Sequence, residues 1–131
     1  MVLYTDGASR GNPGPAGAGA MITDAEGATL AEKAVYLGET TNNQAEYRAL
    51  LIGLQEALKL APARLTIRMD SELIVKQLNG EYRVRNRDLL PLHSRAREMI
   101  EKLADVRIVH VPREENVHAD RLANQAIDNR S

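Results

Sequence analysis

The sequence predicts an α/β fold: a five-stranded mixed sheet, first an antiparallel meander and then parallel strands, with helices on its faces. Three observations carry this. The first forty residues hold three β-rich runs joined by connections too short for a helix. After Thr41 the apolar spacing lengthens from period two to the helical period. From there, single strands alternate with helical stretches, and a helical crossover between strands implies parallel pairing. The 131 residues are read as one domain, 1–131, large enough to bury a core without covalent staples.

The elements follow in order. Residues 2–6 form a short strand that ends at Asp6, where the turn cluster RGNPGPAG follows. Residues 18–23 and 30–37 are two further strands, joined by the turn DAEG at 24–27. In TNNQAEYRALLIGLQEALKLAP, Thr41 and Gln44 match a capping box. Tyr47, Leu50, Leu51, Leu54 and Leu58 then recur at helical spacing, and Pro62 stops the helix. Leu65, Ile67 and Met69 alternate with polar residues in a strand that ends at Asp70. Residues 71–78 read as a helix stopped by Asn79-Gly80, and 89–103 as a longer one. A last strand covers 106–111 and a last helix 116–127.

Composition narrows the chemistry. There is no Cys, so disulfides and thiolate metal sites are excluded, and any metal must be held by oxygen or imidazole ligands. No signal-peptide pattern or membrane-length apolar run occurs, so a cytoplasmic protein without a membrane partner is expected. The net charge of −1 does not mark a nucleic-acid binder. The distribution is more telling, because Arg83, Arg85, Arg87, Arg95 and Arg97 cluster with only Asp88 against them. With four Tyr and neither Phe nor Trp, stacking of bases on an aromatic platform is not expected. Phosphate and sugar contacts would have to hold a nucleic acid.

Four acids occupy unusual places. Asp6 and Asp70 terminate strands, and sites in α/β sheets form beyond the carboxyl ends of strands. Glu46 lies in line with Ala49, Leu50, Gly53 and Ala57, so it borders the buried face of its helix. Asp120 lines up with Ala123 and Ile127 in the same way. Each acid alone has an ordinary explanation as a turn former or as a complement to a helix dipole. Together, converging carboxylates repel one another and raise one another's pKa unless a divalent cation neutralises them. Asn12 lies near Asp6, while Asn42, Asn43 and Gln44 start a helix, where amides can reach minor-groove edges and 2′-hydroxyls. Asn116 is read as the cap of the last helix.

The motifs YTDGASRGNPGPAG, TNNQAEYRALLIGL, RMDSELIVKQL and ENVHADRLAN together resemble ribonuclease H of type 1, in the family's order and over nearly the whole chain. The resemblance implies a ribonuclease H-like fold and cleavage of the RNA strand of RNA–DNA hybrids with two divalent ions. It implies that Asp6, Glu46, Asp70 and Asp120 are the metal-binding catalytic carboxylates. Asn12, Asn42, Asn43, Gln44 and Asn116 would serve the substrate, and Ser71 would lie beside the site. Two Mg²⁺ ions would sit roughly 4 Å apart across the scissile phosphate. Asp6 would bridge them, with Asp70 and Glu46 on the leaving-group side and Asp120 on the nucleophile side. The products would carry 5′-phosphate and 3′-hydroxyl ends, and Mn²⁺ would substitute for Mg²⁺.

Two departures from the family pattern stand out. The flexible loop that carries a catalytic His in many members is shortened here, so Arg113 takes the product-release or proton-shuttling role and His110 closes its strand. The Lys- and Trp-rich protrusion is missing, and the Arg cluster substitutes for it in part. No separate hybrid-binding domain is expected ahead of residue 1, and a monomer is expected. Two alternatives accompany this reading: the same fold acting on double-stranded RNA or another nucleic acid, and a catalytically silent nucleic-acid-binding module.

Overall fold

The structure, a computed structural model, describes residues 1–130. Strands β1 (Val2–Ser9), β2 (Gly14–Thr23) and β3 (Thr29–Thr40) form the antiparallel meander. Helix α1 (Asn42–Leu60) leads to β4 (Leu65–Met69), which is followed by α2 (Glu72–Leu78) and α3 (Leu90–Glu101). Strand β5 (Val106–His110), a 3₁₀ turn (Arg113–Glu115) and α4 (Val117–Asp128) complete the chain. The strand order is β3-β2-β1-β4-β5, with β1, β4 and β5 parallel. This is the mixed sheet expected from the sequence.

The meander runs further than its composition suggests. β1 does not end at Asp6; it continues to Ser9, paired with β2 down to Ala16. The Gly- and Pro-rich stretch from Gly14 is strand rather than turn, because α4 lies directly against it. A Cβ on Gly17 would stand 2.2 Å from the carbonyl oxygen of Ala123, and one on Gly19 would stand 2.1 Å from that of Ala119. Only bare backbone allows so close an approach. The run GPAGAGA is therefore a groove for α4.

Parallel pairing of β1 with β4 stops at Tyr4 opposite Arg68. Asp6 and Asp70 each lie two residues further on. The same register that pairs Tyr4 with Arg68 would set these two acids side by side, at the point where the sheet opens.

α1 lies across the other face of the sheet. Its Thr41–Gln44 capping box forms as expected. Leu50 and Leu54 are fully buried with Leu3, Ile22 and Ile67. Each such side chain contributes roughly 1.5–3 kcal/mol by leaving water. Gly53 costs helix propensity but lets the helix settle on β1; a Cβ there would lie 2.7 Å from Cδ1 of Leu3. Ser71 caps α2 by accepting the N–H of Ile74. α3 is shorter than the expected 89–103 at both ends, and Pro91 fills its first turn. Among the described residues no helix is long and apolar enough to cross a membrane.

Candidate active site

Three elements bring the acids to one rim of the sheet. β1 presents Asp6, the C-terminal end of β4 leads into Asp70, and α1 presents Glu46 one turn into the helix. One carboxylate oxygen from each of these three lies within 4.8 Å of the others, an arrangement able to hold a divalent ion. Asp120, in the first turn of α4, lines the same cleft, close enough to Asp6 to raise its pKa. The cleft they line has a volume of about 540 Å³ and also includes Gly7, Ser9, Asn42, Ser71, Arg113 and Asn124.

The site is strongly acidic, and two of its acids are almost fully buried. Asp6 is 5% exposed and Glu46 3%. Burial, first of all, raises the pKa of Asp6; Glu46, Asp70 and Asp120 raise it further. Burial raises Glu46 as well, opposed by its partners Asp6 and the Gly7 N–H and by the positive charge of Arg113. The Gly7 N–H donates to Oε1 of Glu46 at 2.9 Å, which aims this carboxylate at the cleft. Its other oxygen, Oε2, is buried with no protein partner. A buried carboxylate oxygen without a donor, beside two further acids, is what a hard cation satisfies. The residues present therefore fit Mg²⁺ or Mn²⁺.

The other expected residues divide. Asn42 and Ser71 line the cleft. Asn12 stands beside it, with its Oδ1 accepting the Asn42 N–H at 3.0 Å, so the β1–β2 loop is tied to the start of α1. Gln44 uses its oxygen in the capping box, which leaves its NH₂ for a ligand. Asn43 is half-buried and does not line the cleft. Arg113 is exposed at the cleft edge, whereas His110, at the end of β5, is outside it.

Asn116 departs from its expected role. Its side chain makes no cap bond with α4. It is 1% exposed and donates from Nδ2 to the Thr5 carbonyl at 2.9 Å, pinning the start of α4 to β1 beside Asp6. The reason is burial: at this depth the Thr5 carbonyl offers a long-range partner, and substrate cannot reach the amide. Gly7, Gly17, Gly19 and Asn124 were not singled out by sequence. Their available signals were a glycine next to an acid, glycines alternating along β2, and an amide four residues after Asp120.

Proteins of known name share this architecture. Ribonuclease HI of Halobacterium salinarum is 45% identical over 125 residues, covering 95% of this chain and 63% of that protein. A bifunctional protein of Mycobacterium tuberculosis is 45% identical over 129 residues, 98% of this chain but 35% of its own length. The chain thus spans only part of these relatives. The crystal structure of the Halobacterium salinarum RNase H1 superposes with a TM-score of 0.94 at 44% identity, covering 98% of this chain and 97% of that one. LC11-RNase H1, solved in complex with an RNA/DNA hybrid, gives 0.91 at 45% identity, covering 97% and 96%. A family profile described as reverse transcriptase-like matches residues 4–126, and with these likenesses the chain belongs to the ribonuclease H type 1 family.

Proposed function

We propose that this domain is an endonuclease that hydrolyses the RNA strand of RNA–DNA hybrids with two divalent metal ions, leaving 5′-phosphate and 3′-hydroxyl ends. The observation that carries this is the convergence of Asp6, Glu46 and Asp70, with Asp120 alongside, around an unpartnered buried carboxylate oxygen. The relative crystallised with an RNA/DNA hybrid supports the substrate class.

Asp6, Glu46, Asp70 and Asp120 would hold the ions. When bound, Mg²⁺ supplies a water of lowered pKa and a positive charge for the leaving 3′-oxygen. The rest falls to the chain. Asp6, the acid closest to the others, would contribute its carboxylate to the bound ions. Gly7 holds Glu46 toward the cleft. Asn42 at the cleft, Asn12 bonded to it and the free NH₂ of Gln44 at the same helix start would read groove shape and 2′-hydroxyls rather than base sequence. Arg113, the cation at this acidic rim, attracts the scissile phosphate and helps the cleaved end leave.

The test is cleavage of a labelled RNA–DNA hybrid, with matched duplex RNA and duplex DNA in parallel, with Mg²⁺ and with EDTA. Metal-dependent cleavage of the RNA strand of the hybrid is expected, and Asp70→Asn removes nearly all of it. Equal cleavage with EDTA, or retention of half the activity by Asp70→Asn, would refute the assignment. A preference for duplex RNA would move the substrate class.

A further inference from the structure

Asp120 differs from the other acids in how it is held. It is outside the tight group formed by Asp6, Glu46 and Asp70, and whereas Glu46 on α1 is held by the Gly7 N–H of β1, Asp120 is held from its own helix. It is also half-buried, so burial alone does not fix its rotamer. One side chain does: Asn124, one turn along α4, donates from Nδ2 to the Asp120 carbonyl at 3.0 Å and to Oδ1 at 3.4 Å.

The other end of that amide is also engaged. Nη2 of Arg10 donates to Oδ1 of Asn124 at 3.3 Å and to its carbonyl oxygen at 3.5 Å. Nη1 of the same guanidinium pairs with Asp128 at 2.7 Å. Arg10 is anchored in turn, its N–H donating to the Pro15 carbonyl at 2.8 Å. The amide of Asn124 is thus oriented by a cation at its oxygen and an anion at its NH₂. This arrangement fixes its flip and polarises both bonds.

We infer that Arg10 and Asn124 are a positioning pair that sets the orientation of the Asp120 carboxylate and links it to the β1–β2 loop carrying Asn12. The inference rests on Asp120 being a metal ligand as proposed above. By donating to Oδ1, Asn124 leaves Oδ2 of Asp120 free to face the cleft. Arg10 keeps Asn124 from turning its oxygen toward Asp120. Because Arg10 and Asn12 share one loop, whatever settles on Asn12 also bears on the brace behind Asp120.

Two readouts test the pair. The first is Mn²⁺ affinity, measured by calorimetry on the hybrid-free protein; the second is kcat and KM on a hybrid. Loss of a group that orients a metal ligand typically costs 10–100-fold in metal affinity or activity. Asn124→Ala is therefore expected to lower Mn²⁺ affinity and kcat by roughly 10-fold while KM stays within about twofold. Asn124→Asp turns a carboxylate toward Asp120 and should be worse than Asn124→Ala, although it is nearly isosteric. Arg10→Ala should give a smaller loss of kcat, about threefold, because its contacts are partly exposed, and Arg10→Lys should recover part of it. The losses in the Arg10→Ala/Asn124→Ala double variant should fall short of additive, since one residue acts through the other.

Unchanged Mn²⁺ affinity and kcat in Asn124→Ala would overturn the inference. So would Arg10→Ala raising KM alone, which would make Arg10 a phosphate contact. If the unaltered protein cleaved no hybrid, the functional reading would fail while the Mn²⁺ measurements still judged the brace.

Discussion

Replacing Asp6 by Asn in the metal-free protein is expected to raise its stability near neutral pH, although the residue lies at the centre of the site. Asp6 is 5% exposed, and burial with the neighbouring acids pushes its pKa up to about 11. In the unfolded chain it titrates near 4. Its folded pKa is the higher one, so its contribution to stability is fully present below about pH 4 and is lost as pH rises. Between pH 4 and 7 a single such group costs at most roughly 4 kcal/mol, at 1.36 kcal/mol per pH unit. Solvent reaching the open side of the cleft reduces this to about 1–2 kcal/mol. For a domain of this size that corresponds to a rise of roughly 3–10 °C in Tm for Asp6→Asn at pH 7 in EDTA. Thermal unfolding followed by circular dichroism from pH 4 to 8 reads it directly. The gain should shrink toward zero at pH 4. Saturating Mg²⁺ should raise the wild-type Tm and narrow the gap, because the ions bind the folded acids and not the unfolded chain. A lower Tm for Asp6→Asn at pH 7 in EDTA, or a gain independent of pH, would refute the electrostatic account.

Other consequences are measurable in the same way. Gly19→Ala places a Cβ 2.1 Å from the Ala119 carbonyl and must lift α4, which should cost about 1–3 kcal/mol in urea unfolding and reduce hybrid cleavage through Asp120. Tyr47→Phe removes the 2.6 Å bond to the buried Oε1 of Gln77 and should cost about 1–3 kcal/mol, with kcat left near the wild-type value. Arg113→Ala should slow turnover several-fold more than it weakens hybrid binding, so single-turnover and steady-state rates measured together check its role. Neutralising Arg83, Arg85 and Arg87, all exposed, should flatten the dependence of hybrid affinity on salt by up to about 0.9 in slope per lost phosphate contact. An unchanged slope would place them on a solvated surface.

How far the site could be read from sequence follows from the range of each signal. Glu46 and Asp120 were legible as acids bordering buried helix faces, because helical spacing is a local property. Asp70 was legible because β4 does end beside it. Asp6 was found for a partly mistaken reason. Its strand does not end there; its parallel partner does, and the alignment of Asp6 with Asp70 is a matter of register between distant strands. No local pattern carries that register. The stretch from Gly14 to Gly17 was misread as turn for a related cause. Residues chosen for contact with α4 resemble residues chosen for a turn, since both are small.

Asn116 shows the same competition: its local chemistry suits a helix cap, but a buried carbonyl across the fold claims its amide. Local interactions thus supplied the acids, while contacts far apart in sequence set their spacing. The distances at the rim depend on four helix–sheet approaches, at Gly7, Gly17, Gly19 and Gly53, where a single added methyl would meet backbone or packed side chain. A cluster of carboxylates binds ions only if its oxygens are held within a few tenths of an ångström, and side chains alone are too flexible to hold them so. Bare backbone packed against bare backbone supplies the rigidity. The glycines are therefore as much a part of the proposed chemistry as the acids they bring together.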